Sequence, residues 1–487
     1  MLKLISIELK KIFKKKSIYI MMIIIFLFNL LNNILFYTDY DNNGNYKYLD
    51  EGILEKELDI LNNKLSTYNG SEDSSLYVEL NTKIDSINIK KKYKKGSWQY
   101  NKTEDYLYSV LENINIYTYQ INDVNKLNGF KEELNILLDK FNNDNWEYFI
   151  NIDISNIEYE LSMLEENLLV TNNEKDRLEI NKVIEEKNKI LKELKYRLDN
   201  KIKYDDSYLN KALNTYINKT NEIEYYNNLD KMSLKERTLY QDIKSELEIN
   251  KYILDNKQNY NKQNNLNNQL RTIVDDYEIF IIILILIVAS TIMSEEINTG
   301  TIKLLLIKPY SRGKILLSKY LSIIIFMLFI IMYLILLQIL IGGYIFGFSS
   351  LDIPVIVYNF NKLEIVEYNI FVYMIIRIIT KLPLLIMIST ISFSLGTIIN
   401  NIALSITVPL FIYIFTPTIN YLILNNKINI FKYLVNINWE FNNYLFGKNI
   451  EIEDLNFKIS LIIWITYYII IMIFTYINFK RKNIRNV

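Results

Sequence analysis

The sequence predicts an all-α, polytopic membrane protein with about six transmembrane helices and a large helical insertion between the first and the second. Three observations lead there. Long apolar runs, dominated by Ile, Leu, Phe and Tyr, are confined to residues 1–37 and 277–487. Residues 38–274 are instead rich in Asn, Lys, Glu and Asp. That polar stretch holds Gly44, Gly52, Gly70, Gly96 and Gly129 but no proline, which is too little turn punctuation for a β-rich domain of its length.

A helix crossing hydrocarbon needs about 20 mostly apolar residues. The first candidate, residues 17–37, runs from Ser17 to Tyr37. A cleaved signal peptide is the competing reading, but the run is too long and no small-residue cleavage site follows. The second is Tyr277 to Met293, and the third is Ile315 to Phe346, long enough to tilt or to bend at Gly342 and Gly343. The fourth is Leu382 to Ile399. The fifth is Ile402 to Leu424, with Pro409 and Pro417 expected to kink it, and the sixth is Ile459 to Ile477. Gly343 and Gly347 add a weak G-x-x-x-G signal for close helix approach.

Basic residues set the orientation. Lys10, Lys11, Lys14, Lys15 and Lys16 precede the first span. Lys303, Lys308, Arg312, Lys314 and Lys319 follow the second, and Lys480, Arg481, Lys482 and Arg485 follow the sixth. Six crossings put all three clusters on one side, so both termini are expected in the cytoplasm of a multi-pass cell-membrane protein, with 38–274 extracytoplasmic. Within residues 1–16, Ile5, Leu9, Ile12 and Phe13 recur at helical spacing. That pattern suits an amphipathic cytoplasmic helix on the membrane surface, although lysines there serve equally well as topological anchors. Arg377 and Lys381 share one helix face. A buried cation pair would suggest an ion path, whereas a short interfacial helix from Tyr368 to Lys381 lets both reach water, with Pro383 marking the turn into the span. The second arrangement is the one expected.

In the insertion, Ile154, Ile157, Leu161, Leu164 and Leu168 form one apolar stripe. Ile180, Ile184, Leu191, Leu194 and Leu198 form another, interrupted by Lys187. Together they predict a helical, partly coiled-coil hairpin turning near Thr171–Asn173. Residues 50–65 and 232–256 are expected to add long helices. Such stripes indicate packing before they indicate binding.

The chain has 55 basic and 55 acidic residues, which gives no bulk electrostatic reason for a nucleic-acid partner. It has no Cys and no His. That removes disulfides, Cys/His zinc sites, thiol nucleophiles and histidine acid–base chemistry. A large outer domain without disulfides suits a bacterial protein.

The most informative segment is MSEEINTGTIKLLLIKPYSRGKILLSKYL, from Met293 to Leu321. Glu295 and Glu296 stand at the membrane edge. Gly300 permits a close approach or a turn, Thr301 can begin a short helix, Pro309 stops it, and Ser311 can cap the helix that becomes the third span. Ile302, Leu304, Leu305 and Ile307 then face the cytoplasm and invite a protein partner.

This segment resembles the cytoplasmic loop of ABC-2 type transporter permeases. In that family an acidic residue, a Gly-Thr, a leucine pair and a Pro-x-Ser-Arg precede a Lys-led third span. The resemblance extends to the six-span plan, the basic N-terminal helix and the large external insertion, and it covers about half of the chain. It implies a coupling loop at 294–314, within the membrane portion 275–487, that docks on a separate ATPase. Glu295, Glu296, Gly300, Thr301, Pro309, Ser311 and Arg312 are the matching positions. It further implies two copies of an ABC ATPase, a second permease chain (the same or a relative), contact with membrane lipid, and export of amphipathic peptide, antibiotic or lipid cargo. ATP and Mg would belong to the partner. This chain has no G-x-x-x-x-G-K-[ST]; Gly313-Lys314 and Gly447-Lys448 lack the upstream glycine and the following hydroxyl. It is therefore not expected to be an enzyme, and no catalytic, cofactor or metal residue is assigned. The alternative is a membrane sensor or regulator with an extracytoplasmic ligand-binding domain. An ion-driven transporter would call for paired carboxylates within the spans, and their apolar centres carry none. Glu440, Glu451, Glu453 and Asp454 read as a solvated outer face.

Overall fold

The computed structural model describes residues 1–39, 52–121, 123–227, 229, 232–260, 262, 265–303, 309–426, 429–448, 452 and 455–482. The chain opens with α1 (Leu2–Phe13) and α2 (Lys16–Asp39). The inserted segment supplies α3 (Ile53–Ser66), α4 (Ser75–Lys90), α5 (Trp98–Tyr119), α6 (Val124–Asn142), α7 (Trp146–Val170) and α8 (Glu174–Asn200). Then come α9 (Tyr208–Asn227), α10 (Leu234–Asn256), α11 (Leu266–Asp276), α12 (Glu278–Asn298) and α13 (Arg312–Phe346). Strands β1 (Val355–Asn359) and β2 (Glu364–Tyr368) follow, before α14 (Ile370–Ile398), α15 (Ile402–Asn426) and α16 (Phe457–Arg481).

Among the described residues, six helices are long and apolar enough to cross a membrane: Lys16–Thr38, Glu278–Asn298, Arg312–Phe346, Ile370–Ile398, Ile402–Ile423 and Phe457–Arg481. Their number equals the number of spans expected from the sequence. The boundaries differ most at the fourth, which starts at Ile370 and runs unbroken through Pro383. No interfacial helix ends at Lys381. A proline costs one backbone hydrogen bond, but unwinding the helix in an apolar setting would orphan several more polar groups. Pro409 and Pro417 likewise lie inside α15.

The all-α expectation needs one amendment. β1 and β2 pair antiparallel, from Val355 opposite Tyr368 to Asn359 opposite Glu364. Asn359 Oδ1 accepts from the backbone N–H of Asn361 (3.0 Å) and Lys362 (3.2 Å), which closes the turn. The β-branched run Val355-Ile356-Val357 carried the signal. The G-x-x-x-G pair is also not a helix contact. Gly347, at φ +76°, ends α13, with its N–H on the Gly343 carbonyl at 3.0 Å.

The chain divides into two compact units, Lys47–Ile217 and Met1–Tyr46 with Asn218–Val487. Residues 218–274 thus belong with the apolar helices rather than with the insertion. In the inserted unit, α7 and α8 form the expected hairpin, joined through residues 171–173. The seam interruption at Lys187 is matched across the pair by an ion pair to Glu160. The core of this unit gathers where Trp98, Phe141 and Phe149 meet, with ring centroids 4.9 Å apart for Trp98–Phe141 and for Phe141–Phe149.

In the other unit, α12 is the most enclosed of the long apolar helices and α16 the least. Ile282, Leu284, Ile285, Leu286 and Ala289 of α12 are fully buried against α13 and α14. A polar clasp crosses this apolar core. Asn29 Nδ2 donates to Gln338 Oε1 (2.8 Å) and to Tyr277 Oη (3.1 Å), and Gln338 Nε2 donates to Asn33 Oδ1 (2.8 Å). All four side chains are buried. Gly342 makes room, since a Cβ there would meet both Gln338 and Asn33. Buried amides in hydrocarbon must find each other, so the clasp fixes the register of α2 on α13.

Candidate functional site

One end of the bundle collects the residues singled out in the Met293–Leu321 segment. Glu295 and Glu296 lie in the last turn of α12. Thr299 caps that helix, donating from Oγ1 to the Glu295 carbonyl at 2.7 Å. Gly300 follows at φ +69°, its N–H on the Ile297 carbonyl at 3.1 Å. That left-handed conformation is open to glycine at no steric cost, so the stop is written into the sequence. Thr301 is exposed and shares a 3.0 Å hydrogen bond with the Thr299 hydroxyl, while Ile302 is buried in the bundle core rather than facing outward. Leu304, Leu305 and Ile307 lie outside the described residues, as does the expected short helix past Lys303. Pro309 is exposed. Ser311 caps α13 as expected, accepting from the Lys314 N–H at 3.3 Å.

Glu295 and Glu296 both have partners within the chain. Glu296 belongs to a closed square of charges that draws on three helices. Its Oε1 takes the Lys11 ammonium at 2.6 Å, and its Oε2 lies 2.7 Å from the Lys319 ammonium, off a hydrogen-bond axis but in ion contact. Glu8 occupies the opposite corner, with Oε1 on Lys11 at 3.0 Å and Oε2 on Lys319 at 2.9 Å. Lys319 is fully buried, and it also donates to the Ile292 carbonyl at 3.1 Å. Two cations and two anions cancel, and each oxygen meets a cation, which is what a charge taken out of water requires. Burial alone would lower the pKa of Lys11, but Glu296 and then Glu8 outweigh it and hold that ammonium above the ordinary lysine value. Beside the square, Lys15 pairs with Glu295 at 2.6 Å and donates to Thr291 Oγ1 at 2.7 Å.

This geometry alters the expectation for residues 1–16. The helix is amphipathic, but its apolar face packs on α13. Phe13 lies edge-on to Phe329 at 4.8 Å and to Phe326 at 5.9 Å, and Glu8 lies buried on that face. Glu8 was legible only as a lone acid in a lysine-rich helix. Its partner stands 311 residues away.

Arg312 looks inward too. Its Nη1 donates to the carbonyls of Phe479 (3.2 Å), Lys480 (2.8 Å) and Lys482 (3.0 Å), closing the C-terminal end of α16. Lys482 then donates to the carbonyls of Thr397 (2.7 Å) and Ile398 (3.2 Å) at the end of α14. Burial lowers the pKa of Lys482. Helix C-termini carry orphan carbonyls and partial negative charge, and cations satisfy both. The start of α13 is thereby tied to α16, and α16 to α14.

The opposite end holds a second charge cluster. Lys381 Nζ meets Glu278 at 2.8 Å and Asp275 at 3.2 Å, and Arg377 pairs with Asp275. Neither cation snorkels to water as expected: Lys381 is buried, and carboxylates at the start of α12 and the end of α11 supply its counter-charge. Glu440 is not part of a solvated face. Burial pushes its carboxyl pKa up, with Lys381 opposing and Glu278 and Asp275 reinforcing. Glu451, Glu453 and Asp454 lie outside the described residues. Among the described residues no cluster of carboxylates is arranged to hold a metal ion.

Residues 244–485, which include α12 to α16 and the Gly300–Arg312 loop, match a family described as "Protein of unknown function (DUF2705)". The chain is similar to an uncharacterized protein, YhcI, of Bacillus subtilis (strain 168), at 27% identity over 201 residues. Those residues are 41% of this chain and 64% of that relative, so the chain spans just under two thirds of its length. No solved structure matches the chain.

Proposed function

We propose that this chain is the membrane-spanning permease subunit of an ATP-driven exporter of the ABC-2 type, coupled to ATPase subunits through the loop between α12 and α13. One observation carries the reading. The loop leaves α12 at Gly300 and enters α13 at Ser311, and both anchors are tied to other helices, by Glu296 to α1 and α13 and by Arg312 to α16. A push on such a loop is delivered to the bundle as a whole rather than dissipated in a flexible link. The residues of the resemblance then divide by task. Gly300, Thr301 and Pro309 belong to the displayed part of the loop. Glu295, Glu296, Ser311 and Arg312 fasten it.

In this reading both termini and the loop face the cytoplasm, where the three basic clusters collect. The helical, partly coiled-coil insertion lies outside the cell membrane. Two ATPase subunits bind ATP and Mg and perform the hydrolysis, and a second permease chain completes the path. Amphipathic peptide, antibiotic or lipid is the cargo class. The chain itself is not an enzyme.

The test is purification in mild detergent through a C-terminal tag. A stoichiometric partner with a P-loop, whose ATP hydrolysis rises when both are reconstituted in bilayers, supports the reading. A chain that comes away alone, and that leaves the hydrolysis rate of candidate ATPases unchanged, contradicts it.

A further inference from the structure

A cavity of about 450 Å³ lies where α1 meets the end of α12. Its size falls within the roughly 300–1,000 Å³ common for ligand sites. Its wall is apolar, with Ile7, Val288 and Ile292, and its charged lining carries both signs, Lys11 and Lys15 beside Glu8, Glu295 and Glu296, of which Glu8 and Glu296 are already held by the square. An ammonium has three donors. Lys15 spends two, on Thr291 and Glu295, and Lys11 spends two, on Glu8 and Glu296. Among the described residues nothing takes the third N–H of either lysine. Glu295 gives only Oε2 to Lys15, and its side chain is 45% exposed, which leaves Oε1 open.

We infer that this cavity binds the headgroup of a zwitterionic phospholipid carrying a primary ammonium. The spare N–H groups of Lys11 and Lys15 take the phosphate, Oε1 of Glu295 takes the ammonium, and the isoleucine-lined wall takes the glycerol and the first methylenes. Charge complementarity selects this occupant. An anionic headgroup alone would meet Glu295 unfavourably, and a trimethylammonium headgroup has no N–H for it. Position agrees, because the cavity sits where the end of a membrane-length apolar helix meets the amphipathic α1. The inference rests on the membrane placement proposed above and not on any ATPase partner.

The experiment uses the full chain in nanodiscs of equal parts phosphatidylethanolamine, phosphatidylcholine and phosphatidylglycerol, released into mild detergent for native mass spectrometry. Phosphatidylethanolamine should be retained roughly tenfold over each of the others, the equivalent of one charge-assisted hydrogen bond. Lys15→Gln and Glu295→Gln should each remove that preference. Ile7→Trp fills the cavity without touching a charge and should abolish retention, while thermal unfolding confirms that each variant is folded. Equal retention of the three lipids would overturn the inference. So would preferential retention of phosphatidylglycerol, the mark of a generic cationic patch, or retention that survives Ile7→Trp. A cavity that instead receives a partner protein's side chain would retain no lipid at all, which also overturns it. Each of these outcomes leaves the exporter reading standing; a chain that washes off membranes without detergent would remove the placement beneath both.

Discussion

Glu8 and Lys319 stand 311 residues apart in the chain and meet at 2.9 Å, with 3% and 0% of their side chains exposed. The pair joins α1 to α13, and Glu296 and Lys11 close the square around it. Losing a buried corner of this network is strongly destabilising, because Glu8, Glu296 and Lys319 lie out of water and only Lys11 is partly exposed. Lys319→Met should therefore cost about 3–5 kcal/mol, since it leaves two carboxylates facing Lys11 alone. Thermal unfolding in detergent measures this, and an unchanged melting temperature would refute the square as a fastening.

Glu295→Ala should behave differently from Glu296→Ala. The Lys15–Glu295 pair is partly exposed, at 24% and 45%, and exposed pairs contribute about 0–1 kcal/mol. Glu296→Ala removes one of the two carboxylates that face the fully buried Lys319. Comparing the two melting temperatures checks the contrast, with a small drop expected for the first and a large one for the second.

Gln338→Leu removes the centre of the clasp among Asn29, Asn33 and Tyr277. Interhelical hydrogen bonds of this type contribute about 0.6–2 kcal/mol each. The variant should loosen α2 from α13. Hydrogen exchange should rise in α2 while α12, buried by apolar packing, stays protected.

Arg312→Ala strips one donor group from three carbonyls at the end of α16. Because Lys482 follows directly and holds α14, amide exchange should accelerate at residues 478–482 and also at 396–400, which Arg312 does not touch. Acceleration confined to α16 would show that the two caps are independent.

Glu440 supplies a pH dependence at the opposite end. Its folded-state pKa is raised, chiefly by burial, so the fold favours the protonated form. The sign follows from linkage. The stabilising contribution is fully present below the ordinary glutamate value of about 4.3, and it is lost as pH rises through the raised value. Glu440→Gln should flatten this part of the stability–pH profile and raise stability at neutral pH. A profile identical to the parent chain would contradict the assignment.

Much of the fold was legible because hydrocarbon length and helical period are local properties. The six apolar helices and the α7–α8 hairpin with its turn near Thr171 could be read from consecutive residues. Pairings across the chain could not. Arg377 and Lys381 look like snorkelling cations until Asp275 and Glu278 are set beside them. Arg312 reads as a partner contact until the free carbonyls of α16 arrive next to it. Pro383 reads as a boundary because sequence shows the lost N–H but not the cost of ending a helix in an apolar interior. At the candidate site, the helix stop at Gly300 and the cap at Ser311 were local and legible. The role of Glu296 depended on Glu8 and Lys319, both distant in sequence.

The central claim is that the Gly300–Ser311 loop is where an ATPase docks. The most direct measurement places a photo-crosslinking amino acid at Thr301 or Pro309, both exposed, and a control at Leu169, exposed at the end of α7. A crosslink from the loop positions to a P-loop protein, dependent on nucleotide, is expected, and none from Leu169. Crosslinks from Leu169 but not from the loop, or no nucleotide-binding partner at either position, would contradict it.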